Sequence, residues 1–166
     1  MIPGRFMGAL AALAGLLALD TTARASTART NYMERCGGCH GLEGSSAARL
    51  VPQLKDRAGY FLCTQEGRNY IARLPNIVFS NLGDEELAAL LNFVVFQIGG
   101  SSAPAKAVDF SAAEMGRSRQ DPLTTVNLLS FRARVVSNLI AKCGAPRSLT
   151  EYRPPRSLAR SDLVSY

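Results

Sequence analysis

Cys36, Cys39 and His40 stand together in "RCGGCHG" (Arg35–Gly41), and their types and spacing suit a definite chemistry. The chain has four cysteines and one histidine, and this stretch holds two of the cysteines and the histidine. Cys-x-x-Cys-His is the attachment pattern of a c-type haem. Each thiol adds to one porphyrin vinyl group, giving two thioether bonds. A two-residue gap within a helical turn sets the sulfurs at the vinyl separation. The histidine follows at once, so its imidazole reaches the iron from the same side, and neutral imidazole is a standard proximal ligand. Cys36 and Cys39 are therefore assigned to the thioethers, and His40 to the iron, of one haem c.

Two rival chemistries fit less well. A redox dithiol of the thioredoxin kind needs an α/β setting, whereas the surroundings read as helical. A zinc site needs four ligands, and with a single histidine the other cysteines, Cys63 and Cys143, would have to serve although they are scattered along the chain.

The elements that must position these residues begin after an export signal. "MIPGR" is positively charged, Phe6–Leu19 is an apolar run, and Ala23-Arg24-Ala25 forms an A-x-A cleavage pattern. Residues 1–25 read as a secretory signal peptide. The apolar run is shorter than the roughly 20 residues that a spanning helix needs, so a membrane association is expected only if the segment stays uncleaved. Cleavage removes Arg5, Arg24 and Asp20 and takes the formal charge from +6 to +5. A soluble periplasmic location is the expectation, matching the compartment in which bacteria attach c-type haem. The modest positive charge, with no basic-aromatic pattern, excludes nucleic acid as a partner. It suits an acidic redox partner, and equally plain solubility.

Residues 27–100 read as an all-α core. "TNYMERCGGCH" is a short helix opening near Thr30, and "GLEGSSAARLVPQLKD" is loop because Gly, Ser and Pro break any period. "AGYFLCTQEGRNYIARLP" reads as one broken helix or two, ending before Pro75. "NLGDEELAALLNFVVFQIGG" is the clearest helix. Asp84, Glu85 and Glu86 lie in its first turn, where the helix dipole favours negative charge. Leu87, Leu90, Leu91, Val94, Val95 and Ile98 recur at helical spacing, and Gly99 and Gly100 stop it. Residues 101–108 read as a Ser/Ala/Pro linker and 109–145 as a helical extension. The extension holds a capping box at Ser111–Glu114 and a helix opening at Asp121-Pro122 and ending at Gly144. Residues 146–166, rich in Pro, Arg and Ser, read as a disordered basic tail.

At residues 28–100 the chain resembles the class I c-type cytochromes. "YMERCGGCHG" is similar to that family's first helix running into its haem motif. Tyr32 stands in the place of the family's helix-contact aromatic, and Phe93 where an aromatic packs on the first helix. "LVPQL" resembles the family's Gly-Pro-x-Leu segment, which implies that the Pro52 carbonyl accepts the N–H of His40 and orients it. Arg68, Tyr70 and Arg73 are similarly placed to touch haem propionates, although a solvated helix face explains each one as well. The fold implied is a cytochrome c-like helical domain around one covalent haem, followed by a helical C-terminal extension.

The resemblance breaks at the sixth iron ligand. The family places a methionine, often in a Met-Pro pair, shortly before the last helix. Here Leu74-Pro75 stands in that position, and nothing from Arg73 to Gly83 is a good iron ligand. Four outcomes stay open. Met115 reaches back from the extension, unless it is apolar filler, a role that suits methionine. Cys63 binds as a thiolate, unless it pairs with Cys143 as an oxidising compartment favours. Water or nothing occupies the site. Or a weaker ligand, such as Asn76 or a lysine, does so.

The expected function is one-electron transfer between a dehydrogenase or oxidase and other redox partners. The alternative is a haem enzyme or small-ligand-binding haem protein with an open or thiolate-ligated sixth position. No acid–base pair or nucleophile array points to substrate chemistry on the protein's own side chains.

Overall fold

The computed structural model describes residues 27–46, 51–124 and 127–151. The segment expected to be a signal peptide, residues 1–25, and the tail beyond residue 151 lie outside the described residues. Among those described there is no β-strand, and no helix is long and apolar enough to cross a membrane.

The first helix, α1, covers residues 27–35 and is already formed three residues before Thr30. A break at Cys36 separates it from the single turn α2 (Gly37–His40), although the Cys36 N–H still reaches the Tyr32 carbonyl at 2.9 Å. Gly41 ends α2 at φ +76°, where a Cβ would press on the Ser45 carbonyl, so only glycine serves there.

The region read as one broken helix or two divides at Thr64. Ala58–Cys63 is a 3-10 helix, and α3 is Gln65–Ala72, whose N-terminus is capped by the Thr64 hydroxyl accepting from Gly67 N–H at 3.0 Å. Pro75 opens a further short helix, α4 (Pro75–Val78), at a position where its missing N–H costs nothing.

The clearest sequence element is confirmed as α5 (Asp84–Asn92), with the Gly83 N–H donating back to the Glu86 carboxylate at 3.0 Å. It does not run as an α-helix to Ile98. Phe93–Ile98 is wound as a π-helix, with Gly99 N–H bonded to the Val94 carbonyl. The side chain of Asn92 sits at the change of winding, accepting from Phe110 N–H at 2.7 Å and donating to the Phe110 carbonyl at 3.0 Å.

The extension is built from α6 (Ala112–Gln120) and α7 (Leu128–Cys143). The Ser111 hydroxyl caps α6 as expected. The expected start of α7 at Asp121 is wrong. Asn127 is the cap, its side chain accepting from Ser130 N–H, while Asp121 is held by Arg73 instead. Gly144 closes α7 in the left-handed conformation at φ +64°.

Two cores hold these elements. The first joins Tyr32, Leu87, Leu90, Leu91 and Val95 with Phe110 and Met115 of the extension. The second joins Phe61 and Tyr70 with Val135, Val136 and Leu139 of α7, and Ile71 packs against both. Each fully buried aliphatic side chain contributes roughly 1.5–3 kcal/mol. The extension therefore completes both cores. The expected linker is also tied down at its start: Ser102 is buried, accepting from Gly59 N–H at 2.9 Å and donating to the Gly99 carbonyl at 2.5 Å. The first residues of the expected disordered tail are ordered. Arg147–Thr150 forms a 3-10 turn because Leu149 is buried in the second core and its carbonyl accepts from Arg132.

Candidate functional site

The Cys36–His40 stretch occupies the junction of α1 and α2. Cys36 is half-buried, Cys39 is exposed, and neither is in a disulfide. Burial pushes the Cys36 thiol up from its ordinary value, against the pull of Arg35. Both sulfurs are thus held as unbonded groups one helical turn apart.

His40 is oriented from behind. Its Nδ1 lies 2.9 Å from the Pro52 carbonyl oxygen. A carbonyl only accepts, so Nδ1 carries the hydrogen and Nε2 keeps its lone pair. Burial lowers the imidazole pKa, with the Pro52 carbonyl opposing it. The ring is neutral at neutral pH, the state that ligates a metal.

The loop carrying Pro52 is brought back by Gly44. The Gly44 carbonyl accepts from the N–H groups of both Leu54 and Lys55, at 2.9 and 3.0 Å. Gly44 has φ +76°, and a Cβ there would strike the Ile98 side chain. On the other flank Tyr32 donates its hydroxyl to the Gly41 carbonyl at 2.7 Å, fixing the residue after His40. The Tyr32 ring meets Phe93 with centroids 5.7 Å apart, which ties α1 to the π-wound turn. Burial pushes the Tyr32 phenol up to about 12, with the Cys36 charge adding to it.

The two candidates for a sixth ligand lie elsewhere. Cys63 is bonded to Cys143, with Cα atoms 6.4 Å apart across 80 residues of sequence. Its sulfur is no thiolate, so of the four outcomes open for the sixth position ligation by Cys63 falls away, and the competing Cys63–Cys143 disulfide is the one found. Met115 has no exposed surface and belongs to the first core.

Nor are the residues proposed for haem propionates free for them. Arg68 donates to both carboxylate oxygens of Glu114 at 2.7 Å, to the carbonyls of Val108 and Asp109, and lies over the Phe110 ring. Arg73 pairs with Asp121 at 2.8 Å. Tyr70 is stacked between Phe61 and Phe131 in the second core. All three bind the extension.

Arg119 was not singled out by sequence reasoning. It donates to the carbonyls of Val78, Ser80 and Leu82 and to the Asp84 carboxylate. Three of its four partners are backbone groups, which leave no mark in a sequence. Among the described residues no group of three or more His, Cys, Asp and Glu converges as a metal cage.

The donor set fits a covalent haem: two free sulfurs on adjacent turns, followed by a neutral imidazole with its Nδ1 already engaged. No protein-family description, curated protein or solved structure matches this chain.

Proposed function

We propose that this chain is an exported monohaem c-type cytochrome that carries single electrons between redox partners. Cys36 and Cys39 hold the haem through thioethers, and His40 Nε2 is its proximal ligand. When bound, the haem supplies an iron that takes up and releases one electron. The chain's residues do the rest. Pro52 fixes the imidazole's tautomer and direction. Tyr32 and Phe93 lock the motif to the helical core. The apolar side chains of the first core, against which Cys36 packs, keep water from the inner side of the motif.

The observation that carries this reading is the His40–Pro52 hydrogen bond beside two unbonded thiols, in a chain whose other two cysteines are paired with each other. Covalent attachment at the motif requires that Cys36 and Cys39 be unbonded, and the Cys63–Cys143 pair leaves them so. The net positive charge suits an acidic partner protein, a dehydrogenase or an oxidase.

Intact-mass measurement on protein exported with a working haem-maturation system tests it. The expected mass is the chain from Ser26 plus one haem. Cys36→Ala and Cys39→Ala should each leave a single thioether, visible as a shifted pyridine haemochrome spectrum. Bare polypeptide from a strain that matures other c-type cytochromes would overturn it.

A further inference from the structure

We infer that the cleft between the start of α1 and α5 is a docking site for an extended segment of a partner protein in which basic and apolar side chains alternate. This does not depend on the attachment reading, because Cys36, Cys39 and His40 are not in the cleft wall.

The cleft holds about 1160 Å³ and is open to solvent. Ala89 of α5 and Phe93 and Phe96 of the π-wound turn give it an apolar wall, faced by the start of α1 and by residues 109–112. Both rings are only partly buried in the first core, so part of each is left for another molecule. From Glu85 to Gln97 the wall runs roughly 18 Å at the helical rise of about 1.5 Å per residue. An extended peptide of about five residues covers that length at about 3.3 Å per residue. Sites for small molecules are commonly enclosed and about 300–1,000 Å³, so the open, elongated shape favours a peptide.

The charge of the cleft runs against that of the chain. The net charge is +6, yet Glu85, Glu86 and Asp109 line the cleft with Arg29 as its cation, and Arg29 is paired with Glu43 at 3.8 Å. Among the described residues none of these three acids is in an ion pair. Glu86 gives an oxygen to the Gly83 N–H, whereas the exposed Glu85 and Asp109 are left to solvent. Their complement is a lysine or an arginine.

Asn31 specifies the rest of the ligand. It is 8% exposed, it belongs to the cleft wall, and its Nδ2 has no hydrogen-bond partner among the described residues. Buried amide donors are as a rule satisfied. The missing partner is an acceptor, and a peptide carbonyl is one, whereas an ammonium group only donates. The next residue, Tyr32, is packed on Phe93, which fixes Asn31 against the same wall. An extended segment turns successive side chains to opposite sides. Apolar residues then meet Phe93 and Phe96 while basic ones reach the carboxylates.

The test uses the full chain and a short, fluorophore-labelled peptide of alternating leucine and lysine. Anisotropy should rise to saturation at one peptide per chain. The double substitution Glu85→Gln with Asp109→Asn should weaken binding about tenfold, the worth of two exposed charge pairs, and leave the melting temperature unchanged. In nitrogen-15 spectra the backbone amides of Ala89 and Gln97 and the side-chain amide of Asn31 should shift. Absence of saturable binding overturns the inference, as does equal binding by the doubly substituted chain. A dimer of the chain alone that those two substitutions disperse would put a second copy in the cleft and overturn it too. Phenethylammonium that shifts these amides when the peptide does not would make the site one for small cations, with the same result.

Discussion

The Arg119 guanidinium lies 2.7 Å from the Asp84 carboxylate and so joins the end of α6 to the start of α5. The same group draws three backbone carbonyls, those of Val78, Ser80 and Leu82, onto one planar fork. Hydrogen bonds to a charged donor are worth more than neutral ones, and Arg119 serves three part-buried carbonyls at once. Arg119→Ala should therefore lower unfolding stability by about 3 kcal/mol. Arg119→Lys should recover less than half of the loss, because an ammonium cannot span the fork. Urea midpoints of the three proteins check this, and equal midpoints for the Lys variant and the parent would contradict it.

The Cys63–Cys143 bond closes a loop across 80 residues. Loop-closure entropy of that size gives a stabilisation of roughly 4 kcal/mol as an upper figure. Replacing both cysteines with serine should lower the melting temperature markedly, and the doubly substituted protein should be insensitive to dithiothreitol. Under the proposed attachment, the haem content per chain should stay at one, since Cys36 and Cys39 are untouched.

Tyr32 makes the motif sensitive to alkali. Its phenol is raised from 10.0 to about 12 by burial first, and by the Cys36 charge second. The folded state thus keeps a proton that the unfolded chain releases, so stability is full below pH 10 and falls as pH rises from there to about 12. Tyr32→Phe should remove this alkaline slope and cost about 1 kcal/mol at neutral pH through the lost bond to the Gly41 carbonyl. Under the proposed attachment a thioether removes the Cys36 charge, so the slope should be shallower in protein carrying haem than in protein without it. Denaturation midpoints across the alkaline range measure both effects.

Glycines divide sharply by position. A Cβ at Gly99 would strike the Val95 carbonyl and approach Gly59 N to 2.7 Å, both of them backbone groups that cannot swing aside. Gly99→Ala should destabilise by more than about 2 kcal/mol. A Cβ at Gly38, between the two motif cysteines, meets nothing within 4 Å. Gly38→Ala should fold with unchanged or slightly higher stability and still take up one haem, which thermal melts and intact mass will show.

The helical turn that carries Cys36, Cys39 and His40 was legible in the sequence, because the three residues are local to one turn. Pro52 was legible only through resemblance, and the structure does place its carbonyl on His40 Nδ1. The start of α5 followed from three adjacent acids in its first turn. The part played by the extension was not legible. Arg68, Arg73 and Arg119 reach partners 35 to 48 residues away, mostly backbone carbonyls, and a carbonyl has no letter of its own. The start of α7 was misplaced because Asp121-Pro122 carries a strong opening signal, but Arg73 draws the Asp121 carboxylate into an ion pair and Asn127 takes the cap. The change to π winding after Asn92 was also silent, as were the bonds of the Asn92 amide to Phe110, 18 residues on.

Four thiols allow three complete pairings, and the positions of these four simplify the oxidative history of the chain. The motif lies wholly N-terminal to the ring closed by Cys63 and Cys143. Ligation of Cys36 and Cys39 to porphyrin leaves one pairing for the other two. Closure of the ring first leaves the motif pair with only each other, a short link that a reductant opens again. Under the proposed attachment, either order converges on the same product, with Cys36 and Cys39 on the porphyrin and Cys63 joined to Cys143.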